Sequence, residues 1–173
     1  MVCRPLLAGA GVGGREGVTG LDHHGFASFL VLLHAAATLL MTGVIWFVQI
    51  VHYPLLARVG RPDFAGYERA HTRRITPVVG PIMICEGALA VALALRPPAG
   101  GADWLVWLGL ALLVVIWAST AVLQVPCHRI LAEGFDGRTH TRLVRSNWIR
   151  TATWTARAGL ALWLAFTSVT TGV

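Results

Sequence analysis

Four histidines lie beside the ends of long apolar segments, where an imidazole could transfer a proton or bind a ligand. They are His52, His71, His128 and His140. Imidazole titrates near neutral pH, which makes histidine the most frequent side chain in acid–base catalysis. The sequence therefore predicts these four residues as catalytic candidates. The alternative is that each histidine lies at a helix end, bonded to a free carbonyl or to lipid headgroups.

Residues 147–157 place a second set of side chains on one face of a predicted helix. They are Asn147, Arg150, Trp154 and Arg157, which recur at helical spacing. An arginine there could hold an anionic or phenolate oxygen, because its charge stabilises negative charge on a bound molecule. Together with Tyr53 and Tyr67, these residues are the predicted substrate-binding set. The alternative for the two tyrosines is anchoring at the membrane interface.

Glu86 and Arg157 are formal charges of opposite sign deep inside apolar segments. A lone charge in a bilayer costs at least about 2.5–3.5 kcal/mol on insertion scales, so such residues point inward and pair. We therefore predict a structural ion pair between Glu86 and Arg157. A role of Arg157 at a ligand site is compatible with that pair.

The composition is that of a membrane protein. Of 173 residues, 55% are hydrophobic and 13% are charged, against about 25% charged residues in soluble domains. Four apolar segments cover about residues 27–51, 76–95, 104–125 and 149–168, and each is long enough to cross about 30 Å of hydrocarbon as a helix. The prediction is an all-α, polytopic four-helix bundle over residues 25–170, embedded in the lipid bilayer. Residues 1–24 are predicted to be a disordered, Gly-rich leader.

The basic residues, which are all arginines, indicate how the chain is oriented. They cluster in residues 52–75 (loop 1) and 126–146 (loop 3), directly beside apolar segments. This distribution favours orientation in a bilayer over nucleic-acid binding, and it places both loops in the cytoplasm and both termini outside. Arginine without lysine, with abundant Ala and Gly, is typical of a GC-rich bacterial genome. We therefore predict a multi-pass protein of a bacterial inner membrane.

The two halves of the chain share short blocks. Residues 49–54 and 124–128 each combine Gln, Pro and His at the end of an apolar segment, and residues 71–75 and 140–144 each begin with His-Thr-Arg. A two-helix unit repeated once would relate the halves by a pseudo-twofold axis along the membrane normal. Such a repeat would bring the four histidines together at the cytoplasmic end of the bundle.

The sequence names no cofactor. Cys3, Cys85 and Cys127 are isolated, and no CxxC or CxxCH motif is present, so the pattern indicates no disulfide framework, zinc site or haem attachment. Paired histidines on facing helices would permit haem or a metal, so the cofactor stays open.

Two motifs in the second half resemble a known family. Val125-Pro126 followed by Leu131, and Asn147-Trp148-Ile149-Arg150-Thr151 leading into an Ala/Leu-rich last helix, are similar to the small four-helix membrane proteins of the DUF1772 group, which includes the anthrone-oxygenase-like proteins. Where such proteins often have Asn after the Val-Pro pair, this chain has His128. The resemblance implies a multi-pass bundle with a polar site and an oxygenase acting on an aromatic substrate without an obvious metal.

Two functions are compatible with these observations. The first is a membrane oxidoreductase or oxygenase acting on a small aromatic or quinone-like substrate, with a polar His/Arg-rich pocket open to the cytoplasm. The alternative is a non-enzymatic membrane binding, transport or accessory subunit. Four helices bury little surface, which is compatible with a homodimer.

Overall fold

The computed structural model describes residues 16–97 and 103–171, and it is all-helical over those residues. Four long helical rods form a bundle, and two of them contain a turn of π-helix. In chain order the elements are α1 (Glu16–Phe47), π1 (Val48–His52), α2 (Tyr53–Leu56), α3 (Arg61–Leu95), α4 (Asp103–Ser119), π2 (Thr120–Gln124), α5 (Val125–Leu131) and α6 (Gly137–Thr171). The all-α bundle predicted from the sequence is thus confirmed.

The helices extend well beyond the apolar segments. The α1–π1–α2 and α4–π2–α5 rods continue through the beginnings of the predicted loops 1 and 3, and α3 and α6 begin many residues before their apolar segments. Only residues 57–60 and 132–136 connect the rods there. Hydropathy marks where a helix meets lipid, but backbone hydrogen bonding continues into the polar region. At the other end, α1 begins at Glu16, inside the predicted leader, and residues 1–15 lie outside the described part of the chain.

Three helical stretches are long and apolar enough to cross a membrane. Among the described residues they are Gly25–Leu56, Arg61–Leu95 and Asp103–Leu131, and they make this chain a membrane protein. The fourth predicted crossing, residues 149–168, lies within α6, which carries Arg150 and Arg157. Its passage through the bilayer stays a prediction.

The core consists of three layers along the bundle. The layer farthest from the short connections is rich in alanine, including Ala35, Ala94 and Ala161, and small residues let membrane helices approach closely. The middle layer surrounds Trp154, whose side chain is fully buried. The layer nearest the connections holds Phe64, which packs edge-on against Phe135 with ring centroids 5.0 Å apart.

The two halves repeat the same series of elements. In each half a long helix passes into a π-helix, then into a short helix with proline in its first turn, Pro54 or Pro126. A helix of 35 residues follows in each case. Proline fits the first turn of a helix because its missing N–H would be unpaired there. This recurrence supports the internal repeat predicted from the sequence.

Candidate functional site

A cavity of about 780 Å³ lies between α1, α3 and the α4–π2–α5 rod, with Arg150 of α6 at its wall. About half of its lining residues are apolar, such as Met41, Val44, Ile45, Val79 and Met83. Polar groups gather toward the short connections. A few convergent polar groups in an apolar cavity of this volume are typical of small-molecule sites.

Three side chains form a hydrogen-bonded relay at the polar end of the cavity. The Glu68 carboxylate lies 2.5 Å from His128 Nδ1, and His128 Nε2 lies 3.0 Å from the Tyr53 hydroxyl. With Glu68 as the acceptor, the imidazole proton is assigned to Nδ1, and Nε2 accepts from the Tyr53 O–H. Glu68 is fully buried and Tyr53 nearly so, while Tyr53 and His128 both line the cavity. This arrangement orients the imidazole in the way that acid–base catalysis requires.

A stack of two imidazoles continues the polar cluster beside the relay. The rings of His52 and His71 lie 4.1 Å apart, and His71 is 5.9 Å from the His128 ring. His71 lines the cavity, whereas His52, which stacks on His71, does not. Tyr67 stacks on His52 at 6.4 Å, is exposed and does not line the cavity. The structure thus brings together His52, His71 and His128, as the repeat predicts, and leaves Tyr67 outside.

Arg150 is a buried cation that faces the cavity without an acidic partner. It is 8% exposed. Its Nη1 donates to Asn147 Oδ1 at 3.3 Å, and its buried Nε has no partner. No carboxylate among the described residues lies within ion-pair distance of it. A buried cation of this kind favours an anionic or electron-rich oxygen on a bound molecule.

Asn147 and His140 hold the site together without lining it. Asn147 Nδ2 donates to Gln49 Oε1 at 2.8 Å, and Gln49 Nε2 donates to the Val144 carbonyl at 3.3 Å. His140 Nε2 lies 2.8 Å from the Tyr53 carbonyl, so its proton is on that nitrogen. The predicted catalytic candidate His140 and the predicted binding residue Asn147, both on α6, therefore hold α2 and π1 against α6, and Asn147 also accepts from Arg150.

Glu86 and Arg157 form an ion pair in the other half of the bundle. Arg157 Nη2 contacts Glu86 Oε1 directly, and Nη1 donates to the Gly109 carbonyl. A Cβ on Gly109 would lie 3.6 Å from Arg157 Nη1, an ordinary van der Waals distance. Trp154 lies under the guanidinium at 5.9 Å. Arg157 and Trp154 therefore belong to this buried cluster and not to the cavity that holds His128.

The same cluster contains His34 and Thr38. His34 Nε2 and Thr38 Oγ1 lie 3.2 Å and 3.1 Å from Glu86 Oε1. A space of only about 20 Å³ adjoins His34 and Arg157, which is room for about one water molecule. This second polar cluster is therefore too tightly filled for an organic ligand.

Glu68 is the residue of the site that sequence reasoning missed. Glu68 lies in an Arg-rich stretch between apolar segments, where a carboxylate is expected to be solvated. Helical spacing is the signal that could have found it, because Phe64, Glu68 and Thr72 recur every fourth residue on one helix face. Thr72 and Glu68 share a hydrogen bond along that face.

The described side chains offer no group of three or more His, Cys, Asp or Glu arranged to hold a metal ion. Of the cysteines described, Cys85 is exposed, Cys127 is buried, and neither forms a disulfide.

No family model, curated protein or solved structure matches this chain.

Proposed function

We propose that the cavity binds a small aromatic or quinone-like molecule and that the relay of Tyr53, His128 and Glu68 moves a proton to or from it. The observation that carries this proposal is the relay itself, which ends in the cavity beside Arg150, a buried cation that has no acidic partner among the described residues. An apolar wall suits an aromatic ring, and the polar end suits its hydroxyl or carbonyl oxygen.

The relay can deprotonate a bound phenol in one concerted movement. The phenol O–H donates to the Tyr53 oxygen while the Tyr53 proton passes to His128 Nε2. The imidazolium that forms is stabilised by the Glu68 carboxylate, as in other carboxylate-oriented histidines. Arg150 then faces the phenolate oxygen, whose charge it stabilises. Reversal of the same transfers would protonate a bound anion.

Reaction with oxygen would extend this chemistry to an oxygenase. Molecular oxygen would be the second substrate and the oxidant: a ring C–H of the bound phenolate would be replaced by a carbonyl, giving a quinone, and the other oxygen atom would leave as water. The resemblance of residues 125–131 and 147–151 to the anthrone-oxygenase-like proteins supports that reaction class.

A second candidate function follows from three further arginines in the cavity lining. Arg69, Arg73 and Arg129 lie at the polar end, and Arg69 Nη1 already donates to the Ala132 carbonyl at 2.7 Å. A non-enzymatic binding, transport or accessory subunit could use the remaining guanidinium groups to hold a lipid phosphate. In that case the cavity would bind its ligand without transferring a proton.

The positive-inside distribution supports a location for this chemistry. With the Arg-rich connections in the cytoplasm of a bacterium, α6 crosses the inner membrane as a fourth span and both termini lie outside. The cavity then opens on the cytoplasmic side, where protons can be exchanged with water.

The test uses the protein in lipid nanodiscs with 4-nitrophenol, whose phenolate absorbs at longer wavelength than the phenol. We expect the bound probe to have a larger ionised fraction than the free probe at the same pH. Tyr53→Phe and His128→Gln should each reduce that excess at least about threefold, because each breaks the relay. Tyr67→Phe is the matched control, since Tyr67 is exposed and outside the cavity.

Two other results decide between the candidates. Binding with no change in ionisation, together with displacement of the probe by glycerol phosphate, would favour the second candidate function. An unaltered spectrum in wild-type protein and in all three variants would contradict proton transfer by the relay.

A further inference from the structure

An apolar groove lies on the outer surface of α1 and α3, next to the cavity. It has a volume of about 550 Å³ and is bordered by Leu39, Leu40, Phe47 and Val78. Each of these four side chains is exposed, from 41% for Leu39 to 59% for Phe47. They belong to helical stretches apolar enough to cross a membrane, so the groove faces the acyl chains of the bilayer.

The groove and the cavity share one wall. Val44, Val48, His71 and Ile75 line both spaces. Three of these side chains are short or branched aliphatic groups, and the fourth is the imidazole that stacks on His52. A few rotamer changes in this thin wall would join the cavity to the lipid.

Gly43 leaves room in the groove for an apolar chain such as an acyl chain. It lines the groove, and a Cβ built on it meets no atom within 4 Å. The groove therefore has a free volume at its base, where any larger residue would project into it.

We propose that the ligand is a lipid-anchored ring, with its polar head in the cavity and an apolar chain that leaves between α1 and α3 into the bilayer. This inference rests on the proposed function, because the head is the molecule whose oxygen meets Arg150 and Tyr53. The thin wall that the two spaces share supports it, as does the difference between their linings. The cavity holds the cationic and acid–base groups, and the groove, apart from the two stacked histidines, holds only apolar walls.

The apolar chain of the ligand gains little free energy by moving from lipid into the groove, because lipid tails are as apolar as the groove wall. The groove instead determines the orientation in which the polar head enters the cavity and which ligands fit. Blocking the groove should therefore exclude a ligand with a chain and leave a ligand without one unaffected.

The experiment compares 4-nitrophenol with 2-decyl-4-nitrophenol, each measured as a concentration per bilayer lipid in nanodiscs. Gly43→Trp fills the groove from α1, and Val78→Trp fills it from α3. Val114→Trp is the matched control, because Val114 is 67% exposed and lines neither space. We expect each groove variant to weaken binding of the decyl probe at least tenfold while 4-nitrophenol binding stays within about twofold. The control should change neither.

The possible failures are distinguishable. If the groove variants weaken both probes equally, or weaken neither, the chain does not leave between α1 and α3 and the inference is wrong. If 4-nitrophenol does not bind to the wild-type protein at all, the proposed function itself is wrong, and this inference is overturned with it.

Discussion

At the scale of single residues, the strongest prediction concerns the buried ion pair. Glu86 is fully buried and Arg157 is 2% exposed, so removing one partner leaves the other charged and unpaired in a region of low dielectric constant. Breaking such a pair costs about 3–5 kcal/mol. We expect Glu86→Gln and Arg157→Gln each to lower the thermal unfolding midpoint strongly in detergent. The double variant should recover part of the loss, because no bare charge remains.

The control for that cycle is Glu133→Gln, which changes an exposed carboxylate and should shift stability by less than about 0.5 kcal/mol. Losses that simply add in the double variant, with no recovery, would show that Glu86 and Arg157 do not depend on each other. His34 and Thr38, which contact Glu86, are left unsubstituted in every variant.

Whether the role of a single residue could be predicted from the sequence depends on the residues that surround it in the sequence. Glu86 and Arg157 are conspicuous because the residues around them are apolar, so their pairing follows from the cost of a lone charge. Glu68 is inconspicuous because arginines surround it in the sequence, although the fold buries it fully. Trp154 shares a helix face with Arg150, but only the packing of the four rods decides that it fills the core and not the cavity wall.

At the scale of elements, the π-helices carry a prediction about deletions. A π-helical turn contains one more residue than an α-helical turn, while the α-helical segments before and after it keep their orientation. Deleting Val122, which lies in π2 and is 66% exposed, should therefore restore an α-helix and leave α5 in place. The expected cost is about 1 kcal/mol for the disturbed hydrogen bond between Gln124 and Ser146.

Deletion of Val114 is the comparison, because it is equally exposed but lies in the regular helix α4. Its loss rotates every later residue of the rod by about 100° and should abolish cooperative unfolding, as followed by far-UV circular dichroism during heating. Equal damage from the two deletions would contradict the role given to π2.

The start of α6 gives a prediction about pH. Asp136 precedes the first residue of α6, and its Oδ2 accepts a hydrogen bond of 2.8 Å from the Thr139 backbone N–H. Hydrogen bonds from the side chain and backbone of Thr139 hold the pKa of Asp136 below its usual range. A carboxyl with a depressed folded-state pKa contributes stability above its unfolded pKa and loses it as pH falls through the folded value.

We therefore expect Asp136→Ala to lower the thermal midpoint at neutral pH and to have a progressively smaller effect below the usual pKa of aspartate. Asp136→Asn keeps an oxygen acceptor and should retain most of the midpoint at neutral pH. An alanine effect that is constant from neutral to strongly acidic pH would contradict capping by the ionised carboxylate.

The number and order of the helices could be predicted from apolar segments, but their lengths could not. The connections between the rods shrink to residues 57–60 and 132–136 because α3 and α6 begin in polar sequence. A hydropathy pattern does not detect these polar helical turns. Pro62 and Asp63 at the start of α3, however, are ordinary helix-start signals. The π-helices left no sequence signal beyond the repeated Gln, Pro and His.

At the scale of the whole molecule, the number of crossings decides which side the C-terminus lies on. Reporter fusions after Arg61 and Arg138 should both read as cytoplasmic, and a fusion after Val173 should read as external. Within residues 16–97 and 103–171, three helical stretches meet the length and composition of a membrane span, and α6 is not among them. A C-terminal fusion that reads as cytoplasmic would show that α6 does not cross or that the orientation is reversed.

The ion pair between α3 and α6 has a consequence for how the chain is made. The ribosome synthesises α3 before α6. Until Arg157 is made, Glu86 therefore has only His34 and Thr38 of α1 as polar neighbours. The second half, in turn, supplies only uncharged contacts to Arg157, from the Gly109 carbonyl and the Trp154 ring. Neither half offers its buried charge a partner of opposite sign, and the two charges are paired when the halves pack together. A prematurely terminated chain therefore has an unpaired acidic side chain inside its helices and should be less stable than the finished molecule.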